Sequence, residues 1–179
     1  MENKRFLECC CTDAAEAVEA MNGGAGRIEL CEDLSCGGVT PSRSNLEATL
    51  RAVNIPVNVL VRARGGDFVY DEAEIPAMIG SVRMCRELGV NGVVVGALRK
   101  DGSIDIDTVR RLMVEAEGLH VTFHRAFDEC ADPFAALEDI IALGCDRLLT
   151  AGHASNVNDG ERTLMELNDR ADGRIVILA

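Results

Sequence analysis

Short β-branched and apolar runs alternate along this chain with longer segments whose apolar residues recur every three or four positions. The short runs predict strands at 5–11, 26–31, 56–63, 91–97, 119–126, 145–151 and 174–179. The longer segments predict helices near 13–22, 42–53, 72–89, 106–117, 133–143 and 158–170. Ile75, Met78, Ile79, Val82, Cys85 and Leu88 make one apolar stripe at helical spacing. Asp71 followed by Glu74 resembles a capping box. Asp132-Pro133 offers an N-cap and a first-turn proline, and Asn22-Gly23-Gly24, Gly89 and Gly144 offer helix stops. "KDGSIDID" (100–107) reads as an Asp-Gly turn followed by Asp105 as a cap. Its acidic residues do not fit a calcium-binding helix–loop–helix.

Strand–helix alternation implies a parallel sheet. No GxGxxG follows the first strand, which removes the strongest sign of a doubly wound dinucleotide-binding fold. Polar residues sit at the ends of several strands rather than at one switch point. That spread favours an α/β TIM-type (β/α)8 barrel, whose working end is assembled from many strand ends. A full barrel takes eight strands and about 250 residues. Here the pattern stops at a seventh strand, so 1–179 reads as one barrel domain truncated before its last helix pair and eighth strand. An unclosed barrel leaves two strand edges open, which favours a homo-oligomer.

Alternation within the strands sorts their side chains. Glu8 and Cys10 share one face of the first strand, with Leu7, Cys9 and Cys11 on the other, toward the helices. Glu29 and Cys31 share a face of the second strand, opposite Ile28 and Leu30. Asn58, Leu60 and Arg62 oppose Val57, Val59 and Val61, and Thr122 and His124 oppose Val121 and Phe123. The polar set is expected to point inward.

Composition narrows the partners. Apolar residues make up 47% and charged residues 27%, which is globular. The net charge of −12 disfavours nucleic acid and anionic membrane surfaces. No apolar run reaches the roughly 20 residues of a bilayer span, and the N-terminus lacks the apolar core of a secretory signal. The cytoplasm is the expected location, and its eight cysteines are expected as free thiols. No paired CxxC motif suggests a structural zinc site.

Two constellations carry chemistry. Cys10 and Cys31 lie on neighbouring strands, each two residues beyond a glutamate, and are expected at matching depth. Two thiolates form a soft site suited to Cu(I). The same pair also reads as core filling, or as a disulfide that a reducing compartment would oppose. Glu8, Glu29, Arg62 and His124, with Arg125 and Asp128 nearby, could transfer protons, hold an anion, or simply satisfy one another as an ionic network. Gly65-Gly66, after the third strand, offers backbone N–H groups to an anion or serves only as a turn. His153 is placed at the same mouth, and His120 at the periphery.

The stretches "GRIELC", "GGVTPS", "RARGGDFVY", "GVVVGAL", "VTFHRAFDEC" and "DRLLTAGH", in this order, resemble the copper homeostasis CutC family. The resemblance implies a TIM-type barrel, a cytoplasmic location, oligomers, and Cu(I) held by Cys10 and Cys31. It also implies an extension past "RIVILA" into a glycine-rich turn and an eighth strand. Two positions depart from the family pattern: Ala63 stands where the family usually has proline, and Gly26 where it often has an acid.

Overall fold

Seven parallel strands stand in chain order in one sheet in the computed structural model, which describes residues 6–179. They are β1 (Glu8–Cys11), β2 (Arg27–Leu30), β3 (Val57–Leu60), β4 (Gly92–Val95), β5 (His120–Phe123), β6 (Arg147–Leu149) and β7 (Val176–Leu178). The helices between them are α1 (Ala14–Asn22), α2 (Arg43–Ala52), α3 (Ile75–Leu88), α4 (Ile106–Glu115), α5 (Pro133–Leu143) and α6 (Val157–Ala171). Every predicted element has its counterpart, with strands shorter at both ends except β1, which ends at Cys11 as predicted; Arg5, the start of the first predicted strand, lies outside the described residues. The fifth strand differs most. The chain leaves the sheet at His124, and Arg125–Glu129 form a short 3-10 turn that His124 caps by accepting the Ala126 N–H.

The outward residues of the strands pack under the helices. Ile28, Leu30, Val59, Val61, Val93, Val95, Phe123 and Leu148 share one core with Leu46, Met78, Val82, Leu112, Leu137 and Ile140. Burying a side chain of this size stabilises the fold by about 1.5–3 kcal/mol. The inward face holds a separate, smaller cluster of Cys31, Leu60 and Val94. Among the described residues β1 and β7 each pair with a single neighbour, so the sheet curves into an open trough.

Local chemistry fixes the helix ends. Asp132 accepts the Phe134 and Ala135 N–H groups, and Asp105 accepts that of Thr108. Gly89 and Gly144 end their helices at φ 73° and 88°, where a Cβ would be strained. The Asp71–Glu74 box forms reciprocally, with Asp71 N–H donating to Glu74 (2.9 Å) and Glu74 N–H to Asp71 (3.1 Å). It closes the turn just before α3 rather than the first turn of the helix itself.

Helix α6 is seated backbone to backbone on the loop after β6. A Cβ on Gly160 would fall 1.8 Å from the Ala151 carbonyl oxygen, and one on Gly152 2.3 Å from that of Gly160. Neither neighbour is a flexible side-chain tip, so the helix would have to move. The variant Gly160→Ala is expected to lose about 2 kcal/mol or more of stability, read as a lowered denaturant midpoint. An unchanged midpoint would show that the helix rides freely on the loop.

Candidate functional site

The sulfur atoms of Cys10 and Cys31 lie 3.6 Å apart on the inner face of β1 and just beyond the end of β2. They do not stand level. The ladder pairs Glu8 with Arg27 and Cys10 with Glu29, which puts Cys31 one dipeptide further along. Equal spacing from a glutamate therefore did not mean equal depth, and the thiols meet on a diagonal. Cys10 is exposed to the trough, whereas Cys31 is buried. Their contact divides the pair electrostatically: the Cys10 thiol is pulled down to about 7 as its thiolate accepts from Cys31, and Cys31 is pushed up by the same bond and by burial. Cys11 is buried in the helix-facing core and Cys9 packs against it.

Glu8 belongs to the lowest layer of the trough. Its carboxylate pairs with Arg27 and accepts the Asn58 amide at 3.3 Å; Asn58 in turn accepts from Asn91 at 2.8 Å. Arg147 lies in this region too, its pKa lowered by burial and by the Arg27 charge. Parity could have singled out both arginines: Arg27 shares its face with Glu29, and Arg147 with Leu149.

Arg62, Glu29, His124 and Arg125 line a chamber of about 110 Å³ higher in the trough, closed by Gly37, Leu60, Phe68 and Leu149. Glu8 does not line it. Burial, with Glu8 and Cys10 nearby, raises the Glu29 carboxyl to about 8 against the opposing pull of Arg27. His124 is packed against Phe68, with ring centroids 5.0 Å apart. Gly96 makes room for it, since a Cβ there would come within 2.4 Å of the imidazole. Burial and the Arg62 charge push His124 down to about 3. Its Nδ1 accepts the Ala126 N–H at 3.1 Å, so the neutral ring carries its proton on Nε2.

Arg62 spends part of its guanidinium on the loops. It donates to the carbonyls of Cys36 and Gly38, both at 3.0 Å, and of Gly66 at 2.6 Å, and it stacks over Phe68. This clamp accounts for the glycine pair. Gly66 turns at φ 87° to present its carbonyl. Gly65 lets Cys36 approach, because a Cβ would lie 2.6 Å from that of Cys36. The pair is thus seen serving loop packing through carbonyls and close contact.

Above the chamber lies a mouth of about 760 Å³ lined by Arg62, Arg125, Asp128 and His153, among others. Asp128 organises it by accepting from Thr150 Oγ1, the Ala151 and His153 N–H groups, and Arg125. His153, held at φ 58°, shares a 2.6 Å hydrogen bond with the Cys130 carbonyl. His120 sits at the far end of β5, exposed, beside Asp146 at 3.1 Å. Among the described residues no three His, Cys, Asp or Glu side chains converge as a metal site. No described helix is long and apolar enough to cross a membrane.

An open, TIM-like parallel α/β barrel with polar groups gathered where its strands end is the class these features define. Comparison with known proteins narrows it: the CutC family model matches residues 5–179, and the chain belongs to the CutC family. A CutC family protein of Parabacteroides distasonis is 50% identical over 98% of this chain and 72% of its own length. One from Chromobacterium violaceum is 43% identical over 97% and 70%. The crystal structure assigned to a copper homeostasis protein CutC of Streptococcus agalactiae superposes with a TM-score of 0.91 at 28% identity, covering 97% of this chain and 86% of that one. A phosphoenolpyruvate phosphomutase of Streptomyces platensis, 14% identical with a TM-score of 0.60 over 99% of this chain and 77% of its own, shares the fold alone.

The neutral His124 has a stability consequence. Between its folded pKa of about 3 and an ordinary value near 6.5, the unfolded chain binds a proton that the folded chain refuses. Stability therefore falls as pH drops through that window and is free of this penalty above it. The variant His124→Gln is expected to flatten the decline between pH 6.5 and 4, measured by urea unfolding. Parallel curves for the two proteins would refute a buried, neutral ring.

Proposed function

We propose that this chain binds Cu(I) through Cys10 and Cys31. The 3.6 Å sulfur contact is the observation that carries the reading. Thiolates are soft ligands, and a site built from two of them favours Cu(I) over the hard cations that oxygen ligands select. The lowered Cys10 pKa supplies a thiolate near neutral pH, and metal binding would displace the proton the pair shares. Cys10 is open to the trough, which gives an ion an entry path, while buried Cys31 anchors the other side. Membership of a family with a copper-homeostasis relative supports the same reading. The reducing cytoplasm, where both thiols stay available, is the compartment it requires. Self-association is part of the proposal, supported by the exposed apolar Phe6, Leu7 and Val176 at the two open sides of the sheet.

A second reading is an enzyme acting on a small anionic metabolite, with Arg62 holding the anion and Glu29 or His124 moving a proton, Glu8 contributing from the layer beneath. It is favoured by a specific observation: four ionisable side chains, Glu29, Arg62, His124 and Arg125, line one chamber, two of them with pKa values displaced in opposite directions.

Anaerobic titration against a competing Cu(I) chelator tests the first reading. Cys10→Ser and Cys31→Ser are each expected to weaken binding by more than the roughly 10–100-fold that loss of an outer-shell partner costs. X-ray absorption of the wild-type complex is expected to show two sulfur neighbours. Unchanged affinity in the double variant would move copper elsewhere.

A further inference from the structure

Two buried nitrogen donors on residues that line the upper chamber have no partner among the described residues. One is Arg62 Nε and the other His124 Nε2. Both side chains are more than nine-tenths buried, at 6% and 4% exposure. A buried donor left unpaired costs free energy, and a native fold keeps one where something else completes it. The other bonds of these residues fix both side chains in place. Arg62 is fixed by three backbone carbonyls, and His124 by the Ala126 N–H and by contact with Phe68. Neither can swing away to find another acceptor.

We infer that the chamber receives the carboxylate of a small organic acid, its two oxygens accepting from Arg62 Nε and His124 Nε2, with the rest of the molecule extending into the mouth. This rests on the second reading above and names its substrate class. Arg62 and Phe68 line both the chamber and the mouth, so the two spaces adjoin. The choice of a carboxylate follows from counting donors and charge. Leu60, Phe68 and Leu149 offer nothing to the additional oxygens of a phosphate, Glu29 is itself a carboxyl group, and Arg125 already gives Nε to Asp128 and Nη2 to the Ala154 carbonyl. Arg125 also lines the chamber but is paired with Asp128, leaving Arg62 as the lining cation without a carboxylate partner among the described residues, which suits a monoanion better than a dianion.

Pyruvate, glycolate and inorganic phosphate, titrated separately into the full chain at constant ionic strength, test the assignment. Pyruvate and glycolate are expected to bind, and phosphate is not. Binding should perturb the ¹⁵N resonance of His124 Nε2. His124→Phe keeps an aromatic ring against Phe68 and removes the donor; it is expected to weaken binding about 10- to 100-fold. Leu149→Phe leaves both donors in place and fills the chamber, and is expected to abolish binding if His124→Phe does not fold. No carboxylate binding, equal binding by both variants, or phosphate binding as tightly would overturn the inference. Deuterium exchange into the pyruvate methyl group separates the two readings. Binding without exchange upholds the carboxylate site and removes acid–base turnover of this substrate, whereas absence of binding removes the site itself.

Discussion

Alternation across a parallel sheet is the constraint on which the rest of this molecule depends. Each strand must give one face to the helices and the other to the trough. The helix-facing residues supply the main core. The opposite positions are thereby freed from packing against helices and can carry thiols, carboxylates, guanidinium groups and an imidazole. The same alternation that buries Val57, Val59 and Val61 turns Asn58 and Arg62 inward. Polar groups there are costly unless paired, and most of them are. Glu8, Arg27, Asn58 and Asn91 satisfy one another in a chain of bonds at the bottom of the trough. Unpaired inward groups remain at both levels: Arg147 Nη1 and Thr122 Oγ1 deeper in the trough, Arg62 Nε and His124 Nε2 higher, toward the strand ends.

How much of this was legible in the sequence follows from which interactions are local. Helix caps at Asp105 and Asp132, and glycine stops at 89 and 144, depend on a few consecutive residues and could be read directly. Strand parity is equally local, and it separated Cys10 from Cys9 and Cys11. Register is not local. The one-dipeptide offset between Cys10 and Cys31 is set by how β1 lies against β2, which no single strand encodes. That is why the thiols could be paired from sequence while their diagonal meeting could not.

The loops were harder still. Arg62 reads as a cation aimed at a ligand, yet three of its hydrogen bonds go to carbonyls from two loops separated in sequence. Asp128 reads as a neighbour of Arg125, yet it also ties down the loop after β6, more than twenty residues away. Gly96 looked like a strand residue with no side chain to contribute. It matters because the imidazole of His124, just past the end of the adjacent strand, fills the place of its missing Cβ. Each case is a long-range contact made by a residue whose local pattern already had an adequate explanation.

Sulfur chemistry and oxygen chemistry share one trough, and Leu60 and Glu29 stand between them. Leu60 packs with Cys31 in the inner apolar cluster and also closes the upper chamber. Glu29 pairs across the ladder with Cys10 and lines that same chamber. A metal held between the two sulfurs would reset their separation, press on a wall of the chamber through Leu60 and change the charge facing Glu29. An acid seated on Arg62 and His124 would add negative charge near Glu29 and so act back on the thiols. By reciprocity of linkage, any effect of one ligand on the affinity of the other must be equal in both directions. The two proposed sites therefore belong to one electrostatic system, in which Glu29 would face either ligand.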